Sequence, residues 1–217
     1  MVDLRLGSAE RPLRRILCLG SHCDDIEIGC GGTILRLSRE HPEIEIYWLV
    51  FSSTSVRKKE AARAANLFLA SAKKKKVVIR NYRDSFFPSQ QAQIKGEFEK
   101  LKKTFVPDVV LTHCRHDLHQ DHRVICELTW NTFRSHLILE YEIPKYDGDL
   151  GAPNFFVGLD RATCERKAKH ILDAFASQRS KQWFTEETFL ALPRIRGVEA
   201  NSRSGYAEGF YCRKFVL

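Results

Sequence analysis

The sequence predicts an α/β fold: a mostly parallel sheet sandwiched between helices. Three observations lead there. Short apolar runs rich in branched residues alternate with segments of helical periodicity. The 217 residues suffice for one core of ordinary size. The two segments richest in ionisable residues each follow directly on such a run, which is where open α/β sheets carry their sites.

The strand-like runs are Ile16–Leu19, Ile44–Phe51, Val77–Ile79, Val109–Thr112 and Leu137–Glu142. Apolar residues three or four apart mark helices over Thr33–Ser38, Val56–Leu69, Ser89–Phe105 and Asp121–Phe133. Alternation of this kind argues for parallel strands covered on both faces. After residue 142 the pattern loosens through Pro144, Gly148, Gly151 and Pro153, then resumes with Phe155–Val157, a helix over Arg161–Ala176 and a closing run near Phe210–Phe215. One domain is expected over residues 1–217, with a core over 15–178 and with 179–217 as a C-terminal extension that caps the site.

A composition of 43% hydrophobic and 29% charged residues, with 7 prolines and 12 glycines, excludes a disordered or fibrous chain. The charged stretch up to Arg15 lacks the apolar core of a signal peptide. No run reaches the roughly 18 apolar residues that span a bilayer, so no membrane span and a cytoplasmic location are expected. The 7 cysteines are odd in number and form no C-x-x-C pair, which predicts reduced thiols. The net charge of +8 is densest at Lys73–Lys76, read as a solvated loop entering a strand. No aromatics interleave with it, so no nucleic-acid partner is expected, while a phosphate-bearing small substrate stays compatible.

The first chemical segment, Gly20–Thr33, contains His22, Asp24, Asp25 and Glu27 directly after the first strand. Polar groups gathered there would be costly to desolvate without compensation, and a divalent cation supplies it. His22 and Asp25, three apart, can turn a ring nitrogen and a carboxylate oxygen onto one point at roughly 2 Å each, the geometry of zinc. Asp24 then points elsewhere, where a general base for an activated water belongs. The glycines do not make a dinucleotide site: G-x-G-x-x-G would need glycine at 34, which is isoleucine, and the acidic pair would repel a pyrophosphate. They are expected to let the loop turn tightly and the next helix approach the sheet.

The second segment, Thr112–Arg123, holds His113, His116, His119 and His122. With Asp121 as cap of the next helix, His122 completes a set of two histidines and one carboxylate with a fourth position open. His113 and His116 are read as shaping the loop. Such a set accepts zinc and other divalent ions.

Together the segments resemble the PIG-L/LmbE family of zinc-dependent N-deacetylases, whose motifs read A/S-H-P-D-D-x-E and H-x-D-H. Arg57–Ala65 is similar to the family's R-x-x-E-x-x-x-A helix, Pro107–Val110 to its strand before the histidines, and Lys167 to Gln178 to its late K…SQ helix. The resemblance covers residues 15 to 178. It implies a Rossmann-like fold, a zinc ion on His22, Asp25 and His122, Asp24 as base, and N-acetylglucosaminyl conjugates as small-molecule substrates. It also implies His119 as stabiliser of the oxyanion, oriented by Asp121, and Arg57 on the substrate side. Arg57 reads equally as a solvated arginine opening an amphipathic helix. Glu27 is assigned to orienting a ligand or the substrate. Cys23 stands where the family has proline, leaving open a thiol that joins the metal or one that points away.

The leading reading is removal of an acetyl group from an N-acetylglucosaminyl-type conjugate. A second keeps the metal and cleaves another amide. A third, a non-catalytic metal-bearing module, leaves Asp24 without a duty, since structural zinc is closed by four protein ligands.

Overall fold

The computed structural model describes residues 6–7 and 12–216. One sheet contains β1 (Arg15–Gly20), β2 (Glu45–Val50), β3 (Lys74–Ile79), β4 (Val109–His113), β5 (Leu137–Tyr141), β6 (Phe155–Leu159) and β7 (Tyr206–Cys212), in the order β3-β2-β1-β4-β5-β7-β6. The first five strands are parallel, and β7 runs antiparallel to both β5 and β6. The helices are α1 (Asp25–Glu40), α2 (Ser55–Phe68), α3 (Gln91–Thr104), α4 (Gln120–Thr132), α5 (Arg161–Ala174) and α6 (Glu186–Glu199).

Successive residues of each strand point to opposite faces, and both faces are apolar. Ile16, Cys18, Ile46 and Trp48 pack with Phe68 of α2 and with Ala168 and Ile171 of α5. Leu17, Leu19 and Leu49 meet Phe98 and Leu101 of α3 and Ile125 and Leu128 of α4. Because β1 lies between β2 and β4, the connections leaving β1 and β4 diverge and open a crevice beyond their carboxyl ends. Both chemical segments enter that crevice.

Three features depart from the sequence reading or add to it. Residues 179–217 do not simply cap the site: β7 lies inside the sheet between β5 and β6, with Ala207 and Phe210 fully buried. Helix α6 has no clear sequence pattern because Pro193 removes a backbone donor from its interior. Packing holds it instead, with Arg196 pairing to Glu142 at 2.5 and 2.7 Å in the interior. Third, Lys74–Lys76 belong to the edge strand β3 rather than to a loop. Lysines there oppose edge-to-edge pairing with another chain.

The glycines after Asp25 lie in a helix rather than a turn. Helix α1 is broken at Cys30 (φ −143°, ψ 17°), which frees backbone groups that must be paired elsewhere. Glu208 accepts the N–H groups of Gly32 (2.8 Å) and Thr33 (2.6 Å). Lys167 Nζ donates to the Ile28 carbonyl and to Glu208, each at 2.6 Å. A Cβ on Gly29 would stand 2.2 Å from the Tyr141 ring, so the short first segment of α1 lies close against the sheet.

Glu208→Ala would leave the buried Lys167 charge unpaired and two amides unsatisfied. The expected loss is about 3–5 kcal/mol in urea unfolding; a loss below about 1 kcal/mol would contradict this account of the break in α1.

Candidate metal centre

The loop after β1 and the first turn of α1 carry His22, Asp24 and Asp25; His119 ends the loop between β4 and α4, and Asp121 and His122 lie in the first turn of α4. Three atoms meet across the crevice. His22 Nδ1 and His122 Nε2 are 3.2 Å apart, and Asp25 Oδ2 is 3.5 Å from each of them. Asp25 Oδ2 also accepts the His22 backbone N–H at 2.6 Å, so the turn brings carboxylate and imidazole together locally.

The opposite edge of each imidazole is held by carboxylates. His122 Nδ1 is 2.8 Å from Asp117 Oδ2. His22 Nε2 is 3.2 Å from Asp121 Oδ2 and 3.1 Å from Asp84 Oδ1. A proton on each of these outer nitrogens would leave His22 Nδ1 and His122 Nε2 as lone-pair donors toward a cation. Two such nitrogens and a carboxylate oxygen at these separations repel unless positive charge lies between them. Tetrahedral bonds of about 2.0–2.1 Å imply donor separations of about 3.3–3.4 Å, so the donor set fits one small divalent cation with a position left open.

Other groupings within mutual reach are His22–His119–His122, Asp25–His113–His122 and His22–Asp84–Asp121. They offer fewer free lone pairs. His113 Nε2 accepts the Ser21 N–H at 2.9 Å, His119 Nδ1 accepts the Asp121 N–H at 3.2 Å, and His22 Nε2 is the nitrogen that faces the two carboxylates.

The titration of these groups follows. Burial alone would lower the His22 pKa, but Asp25, Asp121 and Asp84 outweigh it and push it well above the ordinary histidine value. Burial likewise opposes the charge on Asp25, yet His122, His113 and His22 hold its pKa well below the usual carboxylate range. Burial and neighbouring histidines lower the pKa of both His119 and His122. The ring of His122 stacks between His113 and His119, with centroids 3.9 and 4.6 Å away.

Asp24, next to Asp25 in the chain, has a little exposure, and its Oδ2 is 2.7 Å from Arg57 Nη2. Arg57 is therefore neither a solvated surface cation nor a free substrate contact. Asp121 differs from expectation in two ways. The residue capping α4 is His119, and the Asp121 carboxylate serves His22 and the N–H groups of Ser85 (2.7 Å) and Phe87 (3.0 Å). It is the Asp121 backbone that orients His119, which puts the remaining His119 proton on Nε2. Ser85 adopts φ 65°, a left-handed conformation that costs a non-glycine residue about 1–3 kcal/mol and accompanies functional sites.

Glu27 cannot meet a substrate. It is fully buried, both carboxylate oxygens lack a hydrogen-bond partner among the described residues, and burial with the nearby Asp24 and Asp25 raises its pKa well above the ordinary value. His116 is exposed, whereas His113 is fully buried. The residues that sequence reasoning missed are Asp117, Asp84 and Glu60. Asp117 could have been found five positions before His122 in the histidine-rich segment; Asp84 has no local pattern linking it to His22.

Cys23 points away: its Sγ donates to the Ser52 carbonyl at 3.3 Å, and burial pushes its pKa up to about 12. The thiol stays protonated at pH 8, so iodoacetamide should leave Cys23 unlabelled in the folded protein, as read by mass spectrometry. Rapid labelling there would contradict the placement.

Residues 17–133, more than half of the chain, match the PIG-L family, described as GlcNAc-PI de-N-acetylase. The "uncharacterized deacetylase YaiS" of Escherichia coli K12 is 25% identical over 154 residues, 66% of this chain and 82% of the relative. The N,N'-diacetylchitobiose deacetylase of Pyrococcus horikoshii superposes with a TM-score of 0.67 at 22% identity, covering 92% of this chain and 84% of that one. GalB, the 4-carboxy-2-hydroxymuconate hydratase of Pseudomonas putida KT2440, gives 0.71 at 15% identity over 94% and 98%. The fold thus hosts more than one chemistry. The family match, in contrast, covers both chemical segments, and this chain belongs to the PIG-L family of de-N-acetylases.

Proposed function

We propose that this protein is a metal-dependent N-deacetylase that hydrolyses the acetamide of an N-acetylglucosaminyl-type small-molecule conjugate. The observation that carries the reading is the triangle of donor atoms on His22, Asp25 and His122, with Asp24 beside it. Zinc is the proposed ion, on the mixed nitrogen and oxygen donors and the separations that suit it. When bound there, such a cation polarises a carbonyl and lowers the pKa of a water toward about 7.

The chain's own residues supply the rest. Asp24 accepts the proton of the water as its oxygen bonds to the amide carbon, and returns it to the nitrogen as the carbon–nitrogen bond breaks, giving acetic acid, whose proton is then released, and a free amine. His119, neutral and protonated at Nε2, donates a hydrogen bond to the carbonyl oxygen as that atom gains charge. Asp117, Asp121 and Asp84 keep the imidazoles in the tautomers that turn lone pairs inward. Exposed Phe86, Leu118 and Tyr146 lie on the loops bordering the crevice and offer apolar faces to a sugar conjugate.

No helix among the described residues is long and apolar enough to cross a membrane. All seven cysteines carry free thiols, which suits a reducing compartment, and the cytoplasm is the proposed location.

Acetate release from a panel of N-acetylglucosamine conjugates tests the reading. Metal-loaded wild type should release acetate, lose activity to a chelator, and regain it with zinc. Asp24→Ala should retain one metal per chain and fall by about 10²–10⁴-fold in kcat, and His119→Ala by about 10²–10³-fold. A wild type that binds metal yet hydrolyses no member of the panel would sink the sugar deacetylase reading.

A further inference from the structure

Two of the sequence motifs, the Arg57-x-x-Glu60 pair on α2 and the Ser177-Gln178 pair after α5, have no part in the chemistry above, yet they meet beside Asp24. Arg57 Nη1 is 3.0 Å from Glu60 Oε2, while Nη2 is on Asp24. Glu60 in turn accepts the Ser177 N–H at 2.8 Å and the Ser177 hydroxyl at 2.7 Å. The Phe175 ring lies 4.9 Å from the Arg57 guanidinium carbon. The guanidinium is therefore held at two nitrogens and on one face, with side-chain exposures of 16% for Arg57, 11% for Glu60 and 13% for Asp24 that leave the contacts little solvent screening.

We infer that Glu60, held by the Phe175–Ser177 turn, is a positioning residue that fixes Arg57 and, through it, the Asp24 carboxylate. The inference rests on the deacetylase reading for the role of Asp24. Two physical arguments carry it. Asp24 precedes α1 without making a side-chain capping hydrogen bond, so its orientation depends on Arg57. A single guanidinium on a long flexible stem orders a partner poorly, whereas one clamped in a planar fork is pre-organised.

A merely structural Glu60 would join α2 to the end of α5 and nothing more. The two roles separate in the kinetics. Glu60→Gln preserves the size of the side chain but turns an amide NH₂ toward Arg57 or Ser177, donor against donor. The positioning role predicts that metal-loaded Glu60→Gln loses about ten- to a hundredfold in kcat, with KM within about twofold of wild type and one metal per chain. Ser177→Ala, which removes one hydroxyl and is expected to fold whether or not Glu60→Gln does, should lose less in the same direction. Unchanged kcat in both variants, or a change confined to KM, overturns the inference. A crystal structure of either variant gives a readout independent of turnover: the Arg57–Asp24 contact should open or rotate, and unchanged geometry overturns the inference even if no amide tested is hydrolysed. Failure here thus remains distinct from failure of the deacetylase reading.

Discussion

Three potential donor atoms turned toward one point are the constraint around which the site is arranged. His22 Nδ1, His122 Nε2 and Asp25 Oδ2 lie 3.2 to 3.5 Å apart in a buried setting where like partial charges repel strongly. Positive charge at its centre, from a proton on His22 or from a bound cation, offsets that repulsion. Around it stand Asp117, Asp121 and Asp84, each turned so that an imidazole proton faces outward. Asp121 is itself fixed by two backbone amides of the strained Ser85–Phe87 turn, so the order of a histidine after β1 depends on a loop after β3.

The sheet explains why such distant residues meet. With β2 and β4 on opposite sides of β1, the chain leaves the middle of the sheet in two directions, and the gap between the departing loops receives both chemical segments. The broken helix α1 serves the same end. Gly29 brings its first turn against Tyr141, and the buried Lys167–Glu208 pair satisfies the backbone groups freed at Cys30. The late part of the chain thereby reaches back to support the turn that carries Asp24 and Asp25.

Much of this was legible in the sequence because it is local or periodic. The five parallel strands, the helices between them and the meeting of His22 with Asp25 follow from spacing alone, and the histidine-rich segment after β4 announced its own position. What stayed hidden depends on contacts between remote residues. Nothing around Asp84 points to His22, and the motif that contains Glu60 gives no sign that Ser177 and Arg57 close on it. The surroundings of Glu27 and Arg57 were hidden for the same reason: a charge in a motif says nothing about whether it faces substrate, a partner or the interior. Helix α6 was missed because Pro193 and Gly197 contradict helical propensity and tertiary packing overrides it.

The most direct test of the account is a crystal structure of the zinc-soaked protein with anomalous data at the zinc edge. The account predicts one strong peak bound by His22 Nδ1, Asp25 Oδ2 and His122 Nε2 at about 2.0–2.1 Å, with no fourth protein ligand and with Asp24 unbound beside it. A zinc ion closed by four protein ligands, or a fully loaded zinc site elsewhere with this triangle empty, would contradict it.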